Sequence, residues 1–418
     1  MSGAKARKIS REMLRLEEDN APRIGTSLSQ PERKKLLIVG TKPKTPDPNL
    51  EPCSDSEEEE KDASDDVPKL LYEVEVEIFA RVSCFEYWKL HFLNKQFSQL
   101  LKSGEIFKVK QERGLLKPYV LMLTSGDPCW TMIDKSFENF RKLPEISSDF
   151  CFFAWNKETI SAGTQLLVIG KEVESIVVWR YELEMHKWTK GPSMITPRVM
   201  YGSATRGTDA FFAGGIKYCE KGIPEVASAV EKYNADTKTW TMICEMHKRR
   251  KFSSGCFLRG KFYVIGGRDE NNKYLICGES YDEVKNSWTL IPDMLKDVTF
   301  KSSQSPPLIA VVNDNLYLLD TSSNELQVYD VNTNVWKKLG IAPVKANGAK
   351  GWGVAFKSIG DRLLVIGASS ARSCSRKMAV YTCRPSPNME EQLWEETKNC
   401  CDGVELTSFI HNCCVMFA

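Results

Sequence analysis

From about residue 119 onward the chain alternates short apolar runs with polar turns: LLVIG (166–170), AFFAGG (210–215), FYVIGG (262–267), LYLLD (316–320) and LLVIG (363–367). Runs of this length, stopped by glycine or a turn residue, predict strands. Each is followed by a second strand closing on Tyr, a polar turn, and a third opening on Trp. The pairs are Tyr181/Trp188, Tyr233/Trp240, Tyr281/Trp288 and Tyr329/Trp336, always seven positions apart. One unit runs from Gly214 to Gly266, a separation of 52 residues. A period of about 50 marks one supersecondary unit per repeat, stacked on its neighbours to bury a continuous core.

Weaker copies complete the count. MIDKSFENFRKLP carries Ile133 and Phe140 at the same interval, and its RKLP mirrors the TKGP after Trp188. At the far end Tyr381 and Trp394 form a stretched pair. Six units follow, and the first lacks a preceding strand. ELTSFIHNCCVMFA resembles the segments that open other units (GWGVAFKSIG, KFSSGCFLRG). It is expected to complete the first unit and close the ring, which protects sheet edges that an open array would expose. The aromatic pairs are expected to pack between neighbouring units, and Gly-Gly to permit a turn or a close backbone approach.

Before the repeats the periodicity changes. In DDVPKLLYEVEVEIFARVSCFEYWKLHFLNKQFSQLL (65–101), Asp65 or Asp66 can cap a helix and Pro68 suits its first turn. Leu71, Val74, Ile78 and Val82 share one helical face, with Phe79 beside them. Tyr72, Val74, Val76 and Ile78 would also alternate as a strand, but Leu90, Leu93, Phe97, Leu100 and Leu101 follow helical spacing only. Two or three short helices make a small core, which leaves apolar surface for a partner.

Residues 1–66 are poor in aromatics. Residues 1–50 hold 11 Lys/Arg against 6 Asp/Glu, and 51–66 hold 9 acids against one Lys. Such charge blocks predict a disordered tail, with LLIVG (36–40) its one apolar island. Ser54 and Ser56 each have Glu three residues on, which suits an acid-directed kinase or a merely solvated acidic run; KARK and ERKK would suit a nuclear address. The whole chain is 418 residues, 42% hydrophobic, with a formal net charge of +2. That balance argues against a nucleic-acid partner, and no run is apolar enough for a membrane helix. The start lacks a signal peptide's apolar centre, so a nuclear or cytoplasmic location is expected. Fourteen cysteines are scattered through apolar runs and read as buried thiols.

The repeats resemble kelch repeats, so the fold expected is mainly β: a six-bladed kelch propeller over 119–418. The stretch VPKLLYEVEVEIFARVSCFEYWKLHFLNKQFSQLLKSGEIFKVKQERG resembles an F-box, placed at 67–112, with KSGEIFKVKQERG as its connector. F-box followed by kelch is a large plant family. The resemblance implies a substrate-recognition subunit of an SCF-type, cullin-based ubiquitin ligase. Its F-box would dock on a Skp-type linker, and through it the cullin/RING core, while the propeller holds a target. Such a subunit performs no bond chemistry; it raises the target's local concentration near the charged E2 enzyme. Pro68, Leu71, Ile78, Phe79, Val82 and Leu93 are the residues expected at the linker, or alternatively in the small core. The opening Val67-Pro68, the absence of Pro after Arg81-Val82-Ser83, Phe97 where Trp is common, and the acidic Glu73, Glu75 and Glu77 depart from the family pattern. They leave a second reading, a kelch scaffold whose degenerate F-box recruits no ligase.

Arg198 and Arg250 each stand 16 residues before the first Gly of a Gly pair. In kelch adaptors arginines at this position line the target-binding face. The resemblance extends that role to both, with Lys248, Arg249 and Lys251 adding charge and Trp352 a further candidate. Guanidinium groups there would favour an acidic target; a structural or solvated basic loop is the other reading. An enzyme comes third. The four histidines (His91, His186, His247, His411) show no metal-ligand spacing, and no nucleophile elbow or phosphate loop occurs. No cofactor or metal is expected.

Overall fold

The computed structural model describes residues 71–154, 157–218, 223–298, 305–345, 351–369, 378–397 and 409–418. The expected tail, Ser54, Ser56 and Pro68 lie outside them. Among the described residues six antiparallel sheets repeat the blade pattern. Blade two, counted inner to outer edge, is Glu158–Ala162, Gln165–Lys171, Ile176–Glu182 and Lys187–Lys190. Blade three is Gly202–Arg206, Asp209–Ala213, Val230–Asn234 and Thr239–Ile243. Blade four is Ser254–Leu258, Lys261–Ile265, Gly278–Asp282 and Ser287–Ile291. Blade five starts at Leu308–Val312 and blade six at Ala355–Ile359. Blade one is Ile410–Phe417 paired to Pro118–Thr124, then Thr131–Asp134 and Phe140–Lys142. The expected closure is therefore present. Innermost strands touch in order around the ring, and Ile410–Phe417 meets both blade two and blade six.

The core is divided into six wedges, one between each pair of neighbouring blades. A second strand is buried on both faces, so successive residues enter different wedges: Phe262 and Val264 face blade three, Tyr263 and Ile265 face blade five. This is why those strands read as unbroken apolar runs.

The seven-residue interval has a local cause. Tyr281 and Trp288 lie directly opposite across one hairpin, as do Tyr181/Trp188, Tyr233/Trp240 and Tyr329/Trp336. Ring centroids are 5.0–5.3 Å apart. The indole N–H then crosses to the exit of the preceding blade. Trp188, Trp240, Trp288 and Trp336 donate to the carbonyls of Pro144, Pro192, Cys244 and Met294 at 2.7–2.9 Å. Each Trp thus joins two blades by area and by a hydrogen bond. The weak first copy obeys the same register: Ile133 faces Phe140. In blade six Tyr381 faces Glu396 instead of Trp394.

Among the described residues, four α-helices and one 3-10 turn precede the ring: α1 (Tyr72–Arg81), the turn Cys84–Glu86, α2 (Tyr87–Leu90), α3 (Lys95–Ser103) and α4 (Glu105–Glu112). Asn94 caps α3 by accepting from the Phe97 N–H at 2.7 Å. The strand alternative for 72–78 is not taken. Helices and ring share a core, because Val76, Phe79, Ala80, Cys84, Tyr87, Leu100, Leu101 and Ile106 join the wedge between blades one and two. Phe85 packs edge-on against Tyr119 at 5.4 Å, and Arg141 stacks on Trp88 while donating to the Phe85 carbonyl at 3.2 Å. A further short helix, α5 (Phe150–Ala154), lies in the exit from blade one.

Candidate functional site

Two surfaces occupy opposite ends of the propeller. Innermost strands begin beside the Gly pairs, as Ser254 opposite Ile265 shows, and end at the tight turns, as Leu258 opposite Lys261 shows. Helical residues Cys84, Tyr87, Leu101 and Lys110 line one cleft with Thr164, Leu183, Glu184 and Ala418, which belong to the tight-turn end. The Gly-pair loops therefore point away from the helices.

At the helical end, Val74 and Ile78 are 40 and 49% exposed on the outer face of α1, Leu71 just ahead of the helix is exposed, and Phe92 and Leu93 protrude from the turn before α3. Beside this face Glu77 bonds both Arg81 and Arg113, and the two guanidinium groups hold its carboxyl below the usual range. Of the residues expected at the linker, Leu71, Ile78 and Leu93 are on the surface. Phe79 is not: it turns inward and meets Phe97 edge-on at 4.8 Å. Val82 is half-buried against the same core. The helical pattern gave the periodicity correctly, yet the residues that meet the core are Val76, Phe79 and Ala80, one step round from Leu71–Val74–Ile78.

At the Gly-pair end the arginine expectation is corrected. Arg198 and Arg250 are fully buried. Arg198 donates to the Gly214, Thr196 and Phe212 carbonyls at 2.7, 2.9 and 2.9 Å and pairs with Glu231. Arg250 donates to the Gly266 and Cys277 carbonyls at 2.9 and 3.2 Å and pairs with Glu279 at 2.6 Å. Each carboxylate also accepts two backbone N–H groups from the segment just ahead of its arginine: Ile195 and Thr196 for Glu231, His247 and Lys248 for Glu279. These residues tie an incoming loop to its blade; a side chain with no exposed surface offers nothing to a target. Gly214 and Gly266 adopt positive φ of 74° and 64°, and a Cβ on Gly214 would sit 2.4 Å from the Arg250 carbonyl oxygen.

Lys248 and Arg249 are exposed, Arg249 bonding Glu225 at 3.1 Å, and Lys251 and Trp352 are half-buried. Sequence reasoning missed apolar groups on this end. Phe152 is buried over Gly170, while Phe150 and Phe153 on the same short helix point outward, as do Val173 and Ile195. Asp149 fixes that helix by accepting from the Phe152 and Val173 N–H groups at 3.0 and 2.8 Å. Among the described residues no three His, Cys, Asp or Glu side chains converge as metal ligands.

The class of protein this defines is a closed kelch-type propeller carrying a helical module on one end. Residues 249–295 match the Kelch motif. Over 425 residues the chain is 58% identical to F-box/kelch-repeat protein At3g27150 of Arabidopsis thaliana, covering 97% of this chain and 100% of the relative. It is 36% identical to F-box/kelch-repeat protein At1g26930 of the same plant, covering 76 and 77%, and 34% identical to its F-box/kelch-repeat protein At1g74510, covering 81 and 76%. The chain belongs to the F-box/kelch-repeat family.

Proposed function

We propose that this protein is the substrate-recognition subunit of an SCF-type, cullin-based ubiquitin ligase, acting in the nucleus, the cytoplasm or both. The α1 face of Val74 and Ile78 docks on a Skp-type linker, and the Gly-pair end holds the target. One observation carries this reading: two apolar side chains one helical turn apart, Val74 and Ile78, stand in solvent on a helix whose other side is already satisfied by the ring. The shared core keeps the two ends in fixed relation, as an adaptor that presents a target to an enzyme requires. The subunit contributes binding and placement, and the bond chemistry belongs to its partners.

The test uses the full chain, since the helices complete their core only against blades one and two. Capture of purified Skp-type linker is compared between the wild type and Val74→Glu/Ile78→Asp. Both sites are exposed, so folding should be unchanged. A charge in a desolvated apolar contact costs several kcal/mol, so capture should vanish. Linker that ignores the wild type would refute the receptor reading. Glu73, Glu75 and Glu77 on the same helix favour the second reading, a kelch scaffold without ligase recruitment, and that result would establish it.

A further inference from the structure

Blades three and four provide an internal comparison. In blade three the residue after the buried arginine is Val199, facing Ile216, the residue after the Gly pair; both are buried. The same two positions in blade four are Lys251 and Arg268, bridged strand to strand by N–H to carbonyl bonds of 2.9 and 2.7 Å. Two cations directly opposite one another oppose the pairing that holds them. The neighbouring blade shows that the fold has an apolar solution at these positions, so the ring does not require the two charges.

Their surroundings offset the positive charge only in part: Asp269 acts on Lys251 but does not outweigh burial and Arg268. Arg268 is oriented by Tyr274, stacking on its ring at 4.3 Å and donating to its hydroxyl at 2.6 Å. Burial and Arg268 together hold the Lys251 ammonium below the usual lysine range. The nearby carboxylate of Asp269 is engaged in its own turn, accepting from the Asn271 and Lys273 N–H groups at 2.9 and 2.8 Å. Tyr274 and Ile276 present apolar surface beside the pair, and Lys248 stands exposed on the same loop.

We infer that Lys251 and Arg268 form the seat for carboxylates of an acidic target segment, flanked by Tyr274 and Ile276. This deepens the receptor reading and rests on it for the name target. A guanidinium held in one plane suits a carboxylate in two-point contact. Glu225, Asp269 and Glu270 break up the positive field around the seat, which disfavours a polyphosphate and admits a short segment of mixed acidic and apolar residues.

The experiment measures anisotropy of a fluorescein-labelled peptide of alternating Leu and Glu on the full chain, together with thermal midpoints. Variants are Lys251→Val/Arg268→Ile, which installs the blade-three residues, and Lys285→Ala, an exposed cation in a tight turn at the other end. The double variant should bind at least ~10-fold more weakly, about one factor of ten per 1.4 kcal/mol, and its midpoint should rise. Lys285→Ala should change neither. A double variant that binds like the wild type, or that melts earlier, overturns the inference; so does a wild type that prefers a single-stranded oligonucleotide to the peptide. Linker capture is scored separately, so loss of the receptor reading with peptide binding intact is distinguishable from the reverse.

Discussion

If the buried arginines serve the ring, removing Arg250 should cost stability and leave exposed surfaces unaltered. Arg250 and Glu279 have no exposed side-chain surface, and the guanidinium also satisfies the Gly266 and Cys277 carbonyls. Arg250→Met leaves the Glu279 carboxylate buried with only its bonds from residues 247 and 248, and breaking a buried pair in this way costs about 3–5 kcal/mol. Glu279→Gln, which still accepts those N–H groups, strands the guanidinium and should cost a similar amount. The double variant carries no unpaired charge, so the two losses should fall short of additive by about 2–3 kcal/mol. Urea unfolding of all four proteins followed by tryptophan fluorescence gives the cycle. At about 2–4 °C per kcal/mol the single variants should melt on the order of 10 °C lower. Additive losses, or an Arg250→Met that is stable yet fails to bind an acidic peptide, would refute the structural assignment and restore Arg250 as a target contact.

Two further outcomes follow from local geometry. His186 accepts or donates at 2.6 Å to the Tyr181 hydroxyl and lies beside Trp88; burial and Arg141 lower its pKa to about 4. The unfolded chain, at about 6.5, binds the proton first, so stability should be lost as pH falls from about 6.5 to 4. His186→Asn should match the wild type at neutral pH and outlast it near pH 5, and equal sensitivity of the two in pH-dependent melts would contradict this. At Gly255 a Cβ would lie 2.7 Å from the Ser203 carbonyl oxygen and 2.8 Å from its carbonyl carbon and amide nitrogen. Gly255→Ala should therefore cost at least about 2 kcal/mol, and an unchanged urea midpoint would mean that the innermost strands separate freely.

The ring was legible because its signals are hairpin signals. Tyr and Trp seven apart are cross-strand partners, and a left-handed residue five places after each Tyr closes the turn: His186, Lys238, Asn286, Asn334. Asn286 and Asn334 accept the Tyr hydroxyl, whereas Lys238 cannot, and Tyr233 bonds Gln165 of the preceding blade instead. The arginines misled because a basic loop looks solvated until its acid is found. That acid lies 33 and 29 residues on, past loops of unequal length. Counted back from the aromatic pair it is in register: Glu231 and Glu279 each stand two before the Tyr, and the same place holds Trp179 in blade two and Gln327 in blade five. Sequence could not say which side of α1 faces outward, since both sides carry apolar residues and only the ring chooses between them.

The strand that closes blade one also finishes the helical module. Cys414, Met416 and Ala418 share a wedge with Val76, Phe79, Leu100 and Ile106. A chain emerging from the ribosome in order therefore makes its first helices long before their supporting residues exist, and Pro118–Thr124 waits as an open edge meanwhile. A product interrupted before residue 410 lacks the ring seal and the part of the helices' support that Cys414, Met416 and Ala418 supply. Under the receptor reading, a molecule lacking that strand would present α1 to the linker on a weakened support.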